Sequence, residues 1–305
     1  MKNIKNIAAS VRGRLQNIVR DTKRPFAEVL QYYGMERFLY RLSKSEHRHR
    51  FILKGALLFT VWDVQPRRTT VDIDFLAYAD NAISKMEAVI REVCNAGVVS
   101  DGVEFAPGSV KGEKIKENAD YEGVRIKFMG HLGTARIPMQ IDIGFGDAGA
   151  PKPEAIDYPV ILDFPKPHLR GYAFETVVAE KFEAMIKLGA LNSRMKDFYD
   201  VWLLIRQFVF DGRRLSGAIA RTFKNRNTGL PKALPFFASE IYSEGSDRNR
   251  IWIAFLEKNE LREPAKLREA AVAIENFLQP VLDAIASGKD FKCSWKSPGP
   301  WENSK

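Results

Sequence analysis

Cysteine is nearly absent from the chain, and what little there is excludes several classes of protein. Cys94 and Cys293 lie far apart and fit no metal-ligand spacing, so neither a disulfide framework nor a zinc knuckle is expected. The four histidines, His47, His49, His131 and His168, form no zinc pattern, and His47-x-His49 reads as basic surface. No run of about 18 apolar residues is present, which argues against a membrane span. The N-terminus has charges but no apolar stretch of the secretory kind. Internal repeats are also lacking. These absences together predict a cytoplasmic globular protein with buried or incidental thiols.

What is present begins with charge. The 305 residues carry a net +9, unevenly spread. Residues 1–50 hold +8, residues 51–204 hold −4, and residues 205–305 hold +5. An acidic centre between basic flanks suits a metal-holding core whose edges contact a polyanion, although solvated helix faces would give the same count.

The acidic centre has a focus. Residues 71–76, Val-Asp-Ile-Asp-Phe-Leu, read as a strand. Side chains two apart on a strand share a face, so Asp72 and Asp74 stand side by side while Val71, Ile73 and Phe75 face a core. Two neighbouring carboxylates repel each other, and a divalent cation removes that cost. Mg²⁺ favours one or two carboxylates together with phosphate oxygens. A second alternating segment, Ile137 to Gly144, carries Asp142 among apolar residues. Three acids on two strands are suited to metal-assisted phosphoryl or nucleotidyl transfer.

A second constellation lies downstream. Lys181 falls close to the apolar stripe of a helix predicted over Phe174–Leu188, where it either snorkels outward or meets an anion. Asp197 and Asp200 are three apart in the next predicted helix, Met195–Phe208, and share its face. They either favour the helix start through its dipole or orient a functional group.

The remaining pattern predicts α+β architecture. Helices are expected around Val11–Val19, Phe26–Leu42, residues 51–62, Asn81–Ala96, Leu215–Arg226, Asp247–Lys258 and Pro264–Ala286. Short antiparallel strands are expected at Val98–Phe105, Val124–Met129 and Ala135–Ile143, with Pro107–Tyr121 as an excursion between the first two. One further strand is expected at Tyr158–Leu162, within a Pro- and Asp-rich loop over Gly144–Pro167. The tail from Gly288 reads as irregular. The boundaries that follow are a basic helical segment over 1–50, a sheet-containing core over 51–167 and a helical domain over 168–305.

Taken in order, these pieces resemble the AbiEii/AbiGii toxin family of nucleotidyltransferases. They are Leu53-Lys54-Gly55-Ala56-Leu57, Arg67-Arg68-Thr69-Thr70-Val71-Asp72-Ile73-Asp74, Gln140-Ile141-Asp142, Phe174-Glu175 through Ala179-Glu180-Lys181, and Arg194-Met195-Lys196-Asp197-Phe198-Tyr199-Asp200. The resemblance spans about residues 50–205. It implies a nucleotidyltransferase-like mixed sheet holding the acids, flanked by helical regions. It also implies a toxin of a bacterial two-gene system linked to phage defence, neutralised by a separately encoded antitoxin. Some relatives, the MenT-type toxins, add nucleotides to the tRNA 3′ end. On this resemblance Asp72 and Asp74, with Asp142 as a third acid, hold Mg²⁺ or Mn²⁺. Lys54, Gly55, Ala56 and Thr70 approach the phosphates of an NTP substrate. Lys181 grips the triphosphate, and Asp197 or Asp200 supports it. RNA, with tRNA leading, is the implied acceptor on the basic flanks. One departure stands out: Ala56 occupies a position where many nucleotidyltransferases carry serine or glycine. The competing expectations are a nucleotide- or RNA-binding toxin without transferase chemistry, or transfer to a protein hydroxyl or a small molecule. The basic flanks disfavour a cationic drug as acceptor.

Overall fold

In the computed structural model of the chain, the described residues are 6–66, 68–116, 122–146, 151–189, 192–231 and 243–303. The chain divides into two compact units. The first comprises Met1–Asp63, Thr70–Asp147 and Glu154–Gly171, and the second comprises Val64–Thr69, Ala148–Pro153 and Tyr172–Lys305.

The first unit is a mixed sheet backed by helices. Its strands are β1 (Phe51–Lys54), β2 (Asp72–Ala77), β3 (Val103–Lys116), β4 (Glu122–Leu132), β5 (Ala135–Phe145), β6 (Glu154–Asp157) and β7 (His168–Gly171). They lie in the order β3-β4-β5-β2-β1-β7-β6. β3, β4 and β5 form an antiparallel meander. β2 joins β5 in parallel, and β1 is antiparallel to β2 but parallel to β7.

Alternation along β5 explains how the sheet is used. Ile137, Met139, Ile141 and Ile143 are buried on one face, and Gln140 and Asp142 stand on the other. The apolar face is covered by α2 (Phe26–Lys44). A methyl group on Gly34 would sit 2.7 Å from Ile137 Cγ2, so this glycine lets helix and sheet approach closely. Phe38 of α2 packs against Phe105 and Phe128 with centroids 5.7 and 5.2 Å apart. α1 (Ile7–Thr22) contacts α2, and α4 (Ile83–Cys94) backs β3. With one face sealed by helices, polar side chains can gather on the other.

α2 also buries charge. Arg41 meets Asp101 through two hydrogen bonds of 2.8 and 3.0 Å. Glu36 accepts from the Ile161 amide at 2.6 Å and lies 2.7 Å from Arg37. Burial pushes the Glu36 carboxyl up to about 7, against the opposing pull of Arg37.

The second unit is helical. α5 (Phe174–Leu188) packs on α7 (Gly212–Asn225), with Phe182 and Phe223 5.3 Å apart. Buried acids on α5 reach basic residues beyond it: Glu175 pairs with Arg214 at 2.8 Å and Glu183 with Arg226 at 2.9 Å. α6 (Met195–Gln207) packs on α9 (Leu267–Ala286) and on α8 (Asp247–Lys258). A small sheet of β8 (Phe210–Asp211), β9 (Cys293–Trp295) and β10 (Trp301–Asn303) closes the unit.

Several expectations are corrected. Residues 51–62 are not one helix: β1 runs between β2 and β7, then a turn at Gly55–Leu57 leads into the short α3 (Leu58–Val61). A strand buried on both faces has the same continuous apolar signature as a buried helix. Val71 does not face the core but is 64% exposed, because β2 begins one residue later. The excursion at 107–121 is mostly the continuation of β3, irregular between Ala106 and Lys111. Residues 117–121 of it lie outside the described residues. Tyr158–Leu162 is not a strand; it lies between β6 and β7, with the Tyr158 amide donating to the Pro167 carbonyl at 2.9 Å. The tail is structured too. Trp301 stacks on Phe277 at 5.3 Å and donates to its carbonyl at 2.8 Å, so aromatic packing fixes β10. His47 is buried, 2.6 Å from Glu92, and is not surface.

Candidate active site

Two polar clusters collect the residues singled out by sequence, one in each unit. The first is on the open face of the mixed sheet. Parallel pairing sets Asp74 opposite Asp142 and Asp72 opposite Gln140, so all three acids face the same way. Asp72, Asp74 and Asp142 each offer a carboxylate oxygen, and these lie within 4.8 Å of one another. Two full charges at that spacing repel by about 3 kcal/mol at an effective dielectric of about 20. The donor set is all oxygen and hard, which fits Mg²⁺ or Mn²⁺.

Neighbouring residues hold the acids in place. The Thr70 hydroxyl donates to Asp72. Thr70, a candidate phosphate contact, is therefore already engaged in fixing a carboxylate. Arg125, opposite Asp142 on β4, donates two hydrogen bonds of 2.7 and 2.6 Å to it. Asp142's hydrogen bonds hold the guanidinium above its ordinary value, against a smaller effect of burial. Arg125 thus compensates the third acid, and nothing in the sequence pointed to it. Strand register, which brings it opposite Asp142, is a long-range property.

Gly55 ends β1 with φ of +73°, in the left-handed region. A methyl group there would also lie 2.7 Å from Asp74 Cγ. Glycine is therefore required twice, by the backbone and by the carboxylate seated over it. Lys54 precedes it, buried and in register with Asp74. Ala56 is buried in the turn that follows.

The second cluster lies within the helical unit. Lys181 Nζ is 2.8 Å from Asp197 and 2.8 Å from Asp200, so both candidate acids meet it. Arg194 reaches Asp197 at 2.7 Å. Arg68 donates to Asp200 from Nε at 3.0 Å and from Nη2 at 3.0 Å. Its segment, Val64–Thr69, is anchored by Tyr199, whose hydroxyl donates to the Pro66 carbonyl at 2.8 Å. Arg67 of the same motif lies outside the described residues. Burial would discharge Lys181, but Asp197 and Asp200 outweigh it and its ammonium is held above the ordinary lysine range. Burial likewise opposes ionisation of both acids, and the surrounding cations overcome it. Lys181 and Arg194 hold Asp197 below the usual carboxylate range, and Arg68 and Lys181 do the same for Asp200. Among the described residues, three cations, Lys181, Arg194 and Arg68, face the two carboxylates.

An oxygen-rich acid triad on a mixed sheet has the donor chemistry of a divalent-cation site, and that defines the class of fold and site. The particular family follows from comparison: residues 37–290 match the family described as nucleotidyl transferase AbiEii toxin, type IV TA system, and the chain belongs to it. Two solved structures are similar in outline. One is described as a candidate nucleotidyltransferase from H. pylori, with 12% identity, TM-score 0.48, and coverage of 86% of this chain and 97% of that one. The other is JHP933 from Helicobacter pylori, with 11% identity, TM-score 0.43, and coverage of 83% and 90%. No curated protein matches the chain. Among the described residues no helix is long and apolar enough to cross a membrane.

Proposed function

We propose that this chain is the toxin of a two-gene system and transfers a nucleoside monophosphate from an NTP to RNA, with the tRNA 3′ end as the leading acceptor. The observation that carries this reading is the gathering of Asp72, Asp74 and Asp142 oxygens within 4.8 Å, beside the Gly55 turn. Asp72 and Asp74, with Asp142, would hold Mg²⁺ or Mn²⁺. The ion when bound would offset the charge of the acids and of the phosphate oxygens. The absent side chain at Gly55 makes room for the Asp74 carboxylate, and the backbone N–H groups of the turn at Gly55 and Ala56 would donate to phosphate. Lys181, by the family resemblance, would meet the triphosphate, with Asp197 and Asp200 holding its ammonium.

In the reaction, an acceptor hydroxyl oxygen bonds to the α-phosphorus. The bond from that phosphorus to the bridging oxygen breaks, pyrophosphate leaves with the electron pair, and the hydroxyl proton passes to solvent. Catalysis rests on positioning and charge stabilisation. RNA is held by basic surface. Arg12, Arg20 and Lys23 are exposed at and beside α1, and Arg213, Arg221 and Lys224 on α7. Such binding would weaken steeply with salt. The proposed setting is the cytoplasm, in phage defence, with a separately encoded antitoxin.

Incubation with tRNA, Mg²⁺ and each α-labelled NTP tests the reading. Wild type should label tRNA and Asp72→Ala should not. Label transferred equally by Asp72→Ala would defeat it. A second reading, a nucleotide- or RNA-binding toxin without transfer, is favoured by the bidentate hold of Arg125 on Asp142 and by Ala56. It predicts tight NTP binding with no labelled RNA, protein or small-molecule product.

A further inference from the structure

The open sheet face continues past the acids. Strand register places Asp72, Gln140, Lys127 and Lys111 in one row across β2, β5, β4 and β3. The adjacent row is Asp74, Asp142, Arg125 and Glu113. Beside Gln140 the face is hollowed into a cavity of about 660 Å³, within the range of small-molecule sites. Val71, Met129 and Pro138 supply apolar wall, and polar groups on the lining include Gln140, Glu113, Lys111 and Lys127. Val71 is an exposed apolar side chain directly beside the first acid. Lys111 and Lys127 are exposed, and Lys127 rests 2.7 Å from Glu113.

We infer that this cavity seats the terminal nucleoside of the RNA acceptor, with its backbone phosphate against Lys111 and Lys127. Sheet order supplies the direction. Gly55 abuts Asp74 from the β1 side, and the cavity opens on the β5-β4-β3 side. In-line displacement at phosphorus requires attacking and leaving oxygens on opposite sides. A phosphate chain at the Gly55 turn therefore leaves the cavity side for the attacking hydroxyl. The chemistry of the wall agrees. A base is flat and apolar on its faces with polar edges, which suits Val71, Met129 and Pro138 with the Gln140 amide alongside. The two lysines at the rim, one of them paired with Glu113, leave a net positive charge that matches a phosphodiester and repels a cationic acceptor.

This inference rests on the transferase reading for its direction, but its test can be read separately. Binding of a fluorescent single-stranded RNA and of an NTP with Mg²⁺ would be measured for wild type, Lys111→Ala/Lys127→Ala and Val71→Glu. All three positions are exposed, and thermal unfolding checks the fold. The double lysine variant should bind RNA at least tenfold more weakly, with the slope of log affinity against log salt reduced by about 1. Val71→Glu should also lose RNA at least tenfold, and NTP affinity should stay within twofold in both. If NTP affinity falls while RNA affinity holds, the cavity belongs to the nucleotide donor and the inference fails. It fails equally if neither ligand is affected. If wild type labels no RNA but the variants still lose RNA selectively, the transferase reading falls while the RNA seat stands.

Discussion

Gly55→Ala tests the acid site by steric means. The backbone there has φ of +73°, and holding an L-residue in that region costs about 1–2 kcal/mol. The added methyl would also lie 2.7 Å from Asp74 Cγ, an overlap that must be relieved by moving the carboxylate or the turn. Overpacking of this kind costs about 1–3 kcal/mol. The sum, about 2–5 kcal/mol, corresponds to a fall in Tm of roughly 4–20 °C for a unit of this size. A double-mutant cycle separates the two causes. In an Asp74→Gly background the carboxylate and its Cβ, which would lie 2.8 Å from the added methyl, are both gone and only the backbone cost remains, so the effect of Gly55→Ala should shrink by about 1–3 kcal/mol. Thermal or urea unfolding of the four proteins measures this, and Mg²⁺-dependent NTP binding should drop at least tenfold in Gly55→Ala alone. An equal loss of stability with and without the Asp74 carboxylate would refute the claim that Gly55 is needed to seat that acid.

Other perturbations have defined outcomes. Lys181→Met should leave two buried carboxylates short of a partner and cost about 3–5 kcal/mol, read by urea unfolding at pH 7. Since Asp197 and Asp200 are held below the usual carboxylate range, the stability they add is present above the unfolded value and lost as pH falls through their folded values. Glu36 has the opposite sign. Its carboxyl is raised from 4.5 to about 7, so the folded state holds its proton more tightly. Stability should fall by about 3 kcal/mol between pH 4.5 and 7, and Glu36→Gln should flatten that slope in a pH series of unfolding curves. Arg125→Met should lower stability without metal and enlarge the Tm rise on adding Mg²⁺, because Asp142 is then released to the cation; an unchanged Mg²⁺ response would count against a shared site.

Much of this could be read from the chain, for identifiable reasons. α5 and α8 run over the residues expected, because helical periodicity is strong and their flanks favour ends there. The acids were legible because D-x-D on a strand has a fixed geometry, and Asp142 because its strand alternates cleanly. The Lys181 contacts were half legible: spacing placed Asp197 and Asp200 on one face, but not which of them the lysine meets, and it meets both. What escaped was tertiary. Arg125 comes to Asp142 by register, the cavity arises where several strands meet, and β1 looks helical because it is buried throughout. Thr70 was placed beside the acids by sequence, but its hydroxyl bond to Asp72 depends on side-chain conformation.

The short segment Val64–Thr69 has a consequence for anyone who tries to divide the protein. It is flanked on both sides by the sheet unit, yet it belongs to the helical one and carries Arg68 to Asp200. A gene cut after Gly171 therefore yields no intact half. A fragment starting at Tyr172 lacks Arg68, leaving a buried acid with one cation fewer, and the complementary fragment carries a loop stripped of its anchor at Tyr199. Complementation between split fragments, domain swaps with relatives and antitoxin mapping by truncation should all keep this loop with the helical unit, for example by grafting residues 64–69 together with everything after 171.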